Sequence, residues 1–432
     1  MGTVPIKKKK GDTTVMPFTL KRGSVEETVE TVCSPEVIAQ LGIITVTALY
    51  DHNGHLVEIL LYRVPQVPRQ LIQAIAVIAP VYSRLLKISV RSCSIDGYLL
   101  HDLNTVLDVV PLTDLCLDDC YQPRANFALL LEIATSLRNL SLARCKLSDE
   151  GCRSITAQLH FAAPAETSLL LLNLSGNHIT DVGAKHIAEM LRTNRTLRYL
   201  NLASNSITDD GMACIFDVLK DFALTYDEIT NKRGRLIDYL RRRKRIMAKY
   251  LAESETWRHT FQDVINYSNR KSSGLRKSSS IAKQVSLSEV AIKKQKDEMV
   301  AQYIKAKVTS LTDQAMGQFR DPFIRNNLTT NNGWPHCIGN MTLCYLNLSY
   351  NYITYLSVKN LAKVLVYQST LKSVNDGLLK VNIEGNNLPS TCEEYAIIND
   401  QLGSKCAFLS HRTSKASKKG HAKIGSTSVV IV

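Results

Sequence analysis

The chain has 432 residues, 45% of them hydrophobic and 21% charged, with a net charge of +14 and 11 cysteines. That balance excludes a wholly disordered polymer, and no apolar run reaches the roughly 18 residues of a membrane span; the best candidate, Leu71 to Tyr82, is short and carries Pro80. The cysteines lack zinc spacing, since Cys116 and Cys120 have no matching second pair or histidine cluster, so reduced thiols are expected, with no metal and no cofactor.

Residues 1–34 read as a basic disordered tail. Met1 to Lys10 has lysines but no apolar segment behind them, and Ile6 breaks the lipidation pattern begun at Gly2, so an intracellular chain is expected. Residues 35–82 read as an N-terminal cap with a hairpin. Two β-rich runs, Ile43 to Tyr50 and Leu56 to Tyr62, flank Asn53-Gly54, a strong turn signal.

Residues 83–220 contain one pattern repeated: Leu137-x-x-Leu140-x-Leu142-x-x-Cys145-x-Leu147, Leu169-x-x-Leu172-x-Leu174-x-x-Asn177-x-Ile179 and Leu197-x-x-Leu200-x-Leu202-x-x-Asn205-x-Ile207. Weaker copies begin at Leu85 and Leu112. Two more, beginning at Leu343 and Leu378, fill residues 341–398. The Leu-x-Leu alternation puts apolar side chains on one face of a short strand, and stacked copies make a parallel sheet. The Asn satisfies backbone groups in the turn that follows, and Cys is a compact, weaker substitute. Ser148-Asp-Glu-Gly151, Thr180-Asp-Val-Gly183 and Thr208-Asp-Asp-Gly211 then read as helix starts, each leading into apolar residues at three-to-four spacing.

This repeat resembles the leucine-rich repeat of the ribonuclease-inhibitor class. The resemblance implies an α/β fold: a leucine-rich-repeat horseshoe with parallel strands concave and helices convex, here interrupted by a long helical insert. Its leucines and ladder asparagines are structural, so function is sought elsewhere. The residue between the last two leucines faces the concave side: Ser89, Cys116, Ser141, Asn173, Asn201, Asn347 and Asn382. With Asp118 and Arg144 beside them, Asn173, Asn201 and Asn347 are the candidate partner-binding residues of this face. An idle solvated surface is the competing reading.

Residues 221–340 interrupt the repeats and read as a basic helical insert. Leu236, Leu240, Met247, Tyr250, Trp257, Phe261 and Val264 fall on one helical stripe, while Arg241, Arg242, Arg243, Lys244 and Arg245 decorate the rest. A Ser-rich joint with Ser279 as a candidate kinase acceptor leads to Ser286-Leu-Ser-Glu289, a capping box opening a second helix. The basic run is either a solvated face, an import signal or a grip on an acidic lattice. Residues 399–432 read as a second basic disordered tail, ending in Val430-Ile-Val432. Counting charges, segments 1–22, 232–249, 270–310 and 401–432 carry +5, +8, +7 and +6, which leaves −12 on the remainder. The chain is therefore an acidic body with basic appendages.

No phosphate loop, dinucleotide fingerprint, HExxH or GxSxG motif occurs, so no catalytic residue, no small-molecule substrate and no enzyme activity is expected. The Ran GTPase-activating protein is built on a similar horseshoe, but it carries an acidic tail where this one is basic. Tropomodulin-like actin regulators have flanking helices without a counterpart here. The run Phe216-Asp-Val-Leu-Lys-Asp-Phe-Ala-Leu-Thr-Tyr-Asp-Glu-Ile229, entering an Arg/Lys-rich helix that splits the repeats, resembles the family of leucine-rich-repeat-containing protein seventy-one. That resemblance implies a non-catalytic scaffold in the axoneme of cilia and sperm flagella, within the cytoplasm and cytoskeleton, with axonemal partners such as tubulin or radial-spoke components. The alternative is a cytosolic or nuclear adaptor whose basic segments bind nucleic acid or import factors; sparse aromatics in those segments argue against base stacking.

Overall fold

The computed structural model describes residues 14–22, 25–33, 44, 46–121, 126–133, 136–272, 285–371 and 377–417. Two compact units result, one from Met1–Ala223 with Arg325–Val432 and one from Leu224–Ile324.

The strands of the first unit are β1 (Thr14–Arg22), β2 (Val25–Cys33), β3 (Val46–Tyr50), β4 (Leu56–Tyr62), β5 (Lys87–Arg91), β6 (Asp114–Cys116), β7 (Asn139–Ser141), β8 (Leu171–Asn173), β9 (Tyr199–Asn201), β10 (Phe222–Ala223), β11 (Leu328–Asn331), β12 (Trp334–Cys337), β13 (Tyr345–Asn347) and β14 (Lys380–Asn382). Nine of them form one sheet in the order β14-β13-β9-β8-β7-β6-β5-β4-β3. Only β3 runs antiparallel, pairing with β4 as a hairpin at the N-terminal end. The helices of this unit are α1 (Arg69–Ile78), α2 (Gly97–Val109), α3 (Asp149–Ala157), α4 (Asp181–Thr193) and α5 (Asp209–Val218), followed after the insert by α8 (Tyr355–Thr370) and α9 (Glu393–Ser417). The fold is an α/β leucine-rich-repeat solenoid, with a parallel strand layer, a helix layer and the repeated leucines and isoleucines buried between them. Leu140, Leu172, Leu200 and Leu346 are all fully buried at equivalent strand positions.

The central join in this sheet crosses the insert. β9 pairs directly with β13, setting Tyr199 against Tyr345, Leu200 against Leu346 and Asn201 against Asn347. The turn ladder crosses with it. Asn205 Nδ2 donates to Leu174 O at 3.0 Å and Leu202 O at 2.9 Å, and its Oδ1 accepts from Ile179 N at 3.2 Å. Asn351 repeats all three bonds one repeat later, to Leu202 O, Leu348 O and Ile207 N. Cys145 takes the same place with its thiol, which donates to Leu117 O at 3.0 Å.

On the helix side, each first-turn aspartate caps the next helix. Asp149 accepts from Thr180 N, Thr180 Oγ1 and Gly183 N at 2.8, 2.6 and 2.9 Å. Asp181 does the same for Thr208 and Gly211. Asp209 then reaches past the insert to Thr354 N, Thr354 Oγ1 and Ser357 N. The glycines are required by this approach. A Cβ on Gly183 would sit 2.5 Å from Asp149 Oδ1, and one on Gly211 would sit 2.4 Å from Asp181 Oδ1.

Three sequence expectations need correction. Residues 14–33 are not an unstructured tail: β1 and β2 pair antiparallel, with Lys21 opposite Glu26 in register. The lysines at 7–10 dominate the tail's composition and obscure the β-branched alternation Val25-Glu-Glu-Thr-Val-Glu-Thr-Val32. Nor does the C-terminal segment lose structure at 399, because α9 continues to Ser417 and buries Ile398 and Leu402. Finally, the 221–340 segment is not wholly helical. At its base β12 lies between β10 and β11 in a three-stranded antiparallel sheet, turned at Asn332-Gly333, both with positive φ.

The second unit is a pair of helices, α6 (Tyr226–Ser272) and α7 (Val285–Met316). Met247, Tyr250 and Trp257 of α6 pack on Val300, Ile304 and Val308 of α7. Arg235 pairs with Asp321 at 2.7 Å and Arg243 with Asp313 at 3.0 Å. Leu236 and Leu240 do not join this seam; they are 40% and 52% exposed. The Ser-rich joint expected from Ser268 begins instead as helix, since α6 runs to Ser272; its remainder, with Ser279, lies outside the described residues, as do the side chains of the capping box at 286–289.

Candidate protein-binding surfaces

Each strand of the sheet is short and leaves in the same way. The residue two after the last strand leucine is left-handed in the central repeats, at Asp119, Arg144, Gly176, Ser204, Tyr350 and Gly385, with φ between 56° and 71°. Where this residue is large, the next repeat supplies glycine beneath it. A Cβ at Gly176 would meet Arg144 Cγ at 2.7 Å, and one at Gly385 would meet the Tyr350 ring at 2.4 Å. Arg144 and Tyr350 are thereby laid outward along the rim, both exposed.

The concave column Ser141, Asn173, Asn201, Asn347 first serves the backbone. Asn173, Asn201 and Asn347 each accept through Oδ1, at 3.1 Å, from the N–H two residues on: Ser175, Ala203 and Ser349. Ser141 cannot fill that role, and Asp118 of the preceding repeat replaces it. Its carboxylate accepts from Ser141 Oγ at 2.5 Å and from Ala143 N at 3.1 Å, while Asn173 Nδ2 donates to Ser141 Oγ at 2.8 Å. Asp118 and Asn173 are therefore brought together in one internal network. Asp114 is similarly held by Asn139 Nδ2 and Thr113 Oγ1, both at 2.6 Å.

The other end of the sheet differs. Asn201 and Asn347 lie side by side on β9 and β13, next to the rings of Tyr199 and Tyr345, whose centroids are 5.8 Å apart. Tyr199 is 46% exposed, and Lys380 Nζ sits 5.8 Å from the Tyr345 centroid. Asn382 Nδ2 donates to Tyr345 Oη at 3.4 Å, and burial raises the Tyr345 phenol, keeping it neutral. Farther along the exit turn, Tyr350 and Tyr352 are 62% and 65% exposed. Exposed tyrosines with a nearby cation are the side chains that dominate protein interfaces, since they offer large, rigid area with a polar tip. Among the sequence candidates, Asn201 and Asn347 belong to this aromatic end and Arg144 to the rim. Sequence reading missed Tyr345, Tyr350 and Tyr352, although the spacing Tyr345-x4-Tyr350-x-Tyr352 on an outward face was available.

In the helical unit the basic run is divided. Arg243 turns toward Asp313 of α7, while Arg241, Arg242, Lys244 and Arg245 are exposed. Arg241 also meets Asp238 one turn away at 3.6 Å on the surface, a contact worth little in water. Among the described residues, no group of three or more His, Cys, Asp or Glu is placed to hold a metal ion, and no helix is long and apolar enough to cross a membrane.

A family profile described as Leucine Rich repeat matches residues 134–155, 166–188 and 193–216. These are the three central repeats, and together with the sheet they define the class by fold: a leucine-rich-repeat solenoid. No curated protein matches the chain. Among solved structures, an internalin of Listeria monocytogenes aligns at 12% identity over 84% of this chain and 73% of that one, with a TM-score of 0.27. A superposition that loose supports no functional inference.

Proposed function

We propose that the chain is a non-catalytic scaffold of the ciliary or flagellar axoneme, holding one partner on the repeat sheet and another on its basic helical insert. The observation that carries the scaffold reading is the ladder that closes across the insert. With Asn201 beside Asn347 and Asp209 capping Thr354, the repeats form one continuous surface, and the insert is an added module rather than a break in the fold. Two binding modules on one chain are what a linker between larger assemblies needs. The exposed Tyr199, Tyr350 and Tyr352, with the half-buried Tyr345 among them, make the C-terminal half of the sheet the favoured protein contact. The exposed Arg241, Arg242, Lys244 and Arg245 suit an acidic surface such as a microtubule or a spoke protein. The axonemal placement comes from the sequence of the Phe216–Ile229 junction and from the repeats, insert, repeats layout.

The test is localisation of tagged full-length protein in ciliated or flagellated cells, followed by detergent extraction. Retention with the extracted axoneme supports the placement. A diffuse or nuclear signal overturns it in favour of an adaptor whose basic segments meet nucleic acid or import factors.

A further inference from the structure

One face of α6 faces α7 and is accounted for by Arg235, Tyr239, Arg243, Tyr250 and Trp257. At 100° per residue, the flank of α6 that adjoins this seam on the Met247 side should turn polar if it only met water. Instead it carries Ile237, Leu240 and Leu251, which are 47%, 52% and 55% exposed. Their spacing of three and then eleven residues keeps them within one stripe, about 21 Å long at 1.5 Å per residue. Exposed basic residues border and interrupt it: Arg241 and Arg245 on one flank, Lys244 within. From 232 to 249 the single acidic residue is Asp238. The apolar surface of α6 thus extends past the seam onto an exposed flank, whose far side is edged with positive charge.

We infer that this exposed flank of α6 is a docking surface for an acidic protein with an apolar groove, of the kind that a calcium-loaded EF-hand pair opens. This deepens the scaffold reading of the insert by naming the chemistry of its partner. Helix-in-groove recognition requires both features: aliphatic anchors at helical spacing and charge opposite to the groove's rim. An unstructured acidic tail would meet the arginines and leave Ile237, Leu240 and Leu251 in water. An anionic bilayer is matched by aromatic anchors at the interface, but the tryptophan of α6, Trp257, packs on α7 beneath Lys307 Nζ, 4.5 Å from its ring. Because α7 holds the adjoining face, the groove must be open on one side, engaging α6 without encircling it.

The test uses the purified full-length chain and three probes at physiological salt: calcium-loaded calmodulin as an acidic apolar groove, a polyglutamate peptide as charge alone, and phosphatidylserine vesicles as an anionic bilayer. Two variants are compared with the parent, Ile237→Gln/Leu240→Gln/Leu251→Gln and Arg241→Glu/Arg245→Glu. All five positions are at the surface, and unchanged circular dichroism verifies folding. The expected result is calcium-dependent calmodulin binding weakened at least about thirty-fold by the glutamine variant and also by the charge reversal, with polyglutamate affected only by the latter. No calmodulin binding, equal binding by the glutamine variant, or vesicle binding that the glutamine variant abolishes while calmodulin stays unbound would overturn the proposal. Purified components give this answer whether or not the protein resides in axonemes, so the two readings fail separately.

Discussion

At the scale of single residues, the solenoid depends on side chains that serve a neighbouring repeat rather than their own. Asn205 supplies three buried hydrogen bonds, two of them to the preceding repeat. Asn205→Ala should lower the unfolding free energy by about 2–4 kcal/mol, read from the denaturant midpoint, because it leaves buried backbone groups unpaired. Cys145→Ala, losing only thiol contacts, should cost less. Burial pushes the Cys145 and Cys152 thiols up to about 12 and the Cys120 thiol higher still, so few thiolates form at pH 8. In native protein these three should resist a thiol reagent that labels them quickly in denaturant; rapid native labelling, mapped by mass spectrometry, would contradict the packing. Gly211→Ala raises helix propensity yet should destabilise, by about 2 kcal/mol, because its Cβ displaces the Asp181 carboxylate. Burial raises the Asp209 pKa, but hydrogen bonds from Ser357 and Thr354 outweigh it and hold the carboxyl below its ordinary value. Its stabilisation is complete above the unfolded pKa of about 4 and is lost as pH falls through the lower folded value. Asp209→Asn should therefore flatten that part of the acid limb of a stability-pH curve.

Element by element, the sequence was most readable where one period had one explanation. The strand leucines, the ladder asparagines and the Thr-Asp-x-Gly helix starts follow from local pattern, and the sheet realises them. What was not readable were relations between repeats. Asp118 looks like a free concave acid in sequence, but Ser141 stands 23 residues on where its own repeat wants an asparagine, and the carboxylate is drawn into that gap. The stripe on α6 failed for another reason. Leu236 and Leu240 share a helical period with Met247 and Tyr250, and a single wide apolar stripe cannot disclose how much of its length and width the partner helix covers. The Asn332-Gly333 turn was a local signal left unread amid the length of the insert. Since β9 and β13 pair without help from α6 and α7, replacing residues 225–324 by a short Gly/Ser linker should leave a single cooperative thermal transition within a few degrees of the parent. Loss of the transition would mean that the insert is structural to the repeats.

At the level of the whole molecule, charge is segregated. The concave acids toward the N-terminal end are bonded internally, Tyr199, Tyr350 and Tyr352 stand exposed in the later repeats, and the positive charge concentrates in the insert and termini. Contacts through Arg241 to Arg245 should weaken steeply with salt, whereas contacts through Tyr199 and Tyr345 should not. If axonemal retention depends on the insert, raising salt to about 0.5 M should release the protein, and Tyr199→Ala/Tyr345→Ala should leave that salt sensitivity unchanged. Retention that ignores salt but falls in the tyrosine variant would assign the anchor to the sheet.

The join between β9 and β13 also sets an order of assembly. Within the uninterrupted repeats, ladder partners are 26 or 30 residues apart, while across the insert Ile207 and Asn351 are 144 apart. For a flexible chain, closing the longer loop costs about 1.5 kcal/mol more in entropy, a penalty that early pairing of α6 with α7 would reduce by drawing the ends together. On a ribosome, the repeats before Ala223 emerge with their neighbours in hand. β13 must wait until the whole insert has been made, and until then β9 presents an open sheet edge that invites pairing with another chain. Refolding should accordingly show a slower phase for the last two repeats, one that the insert-deleted chain lacks.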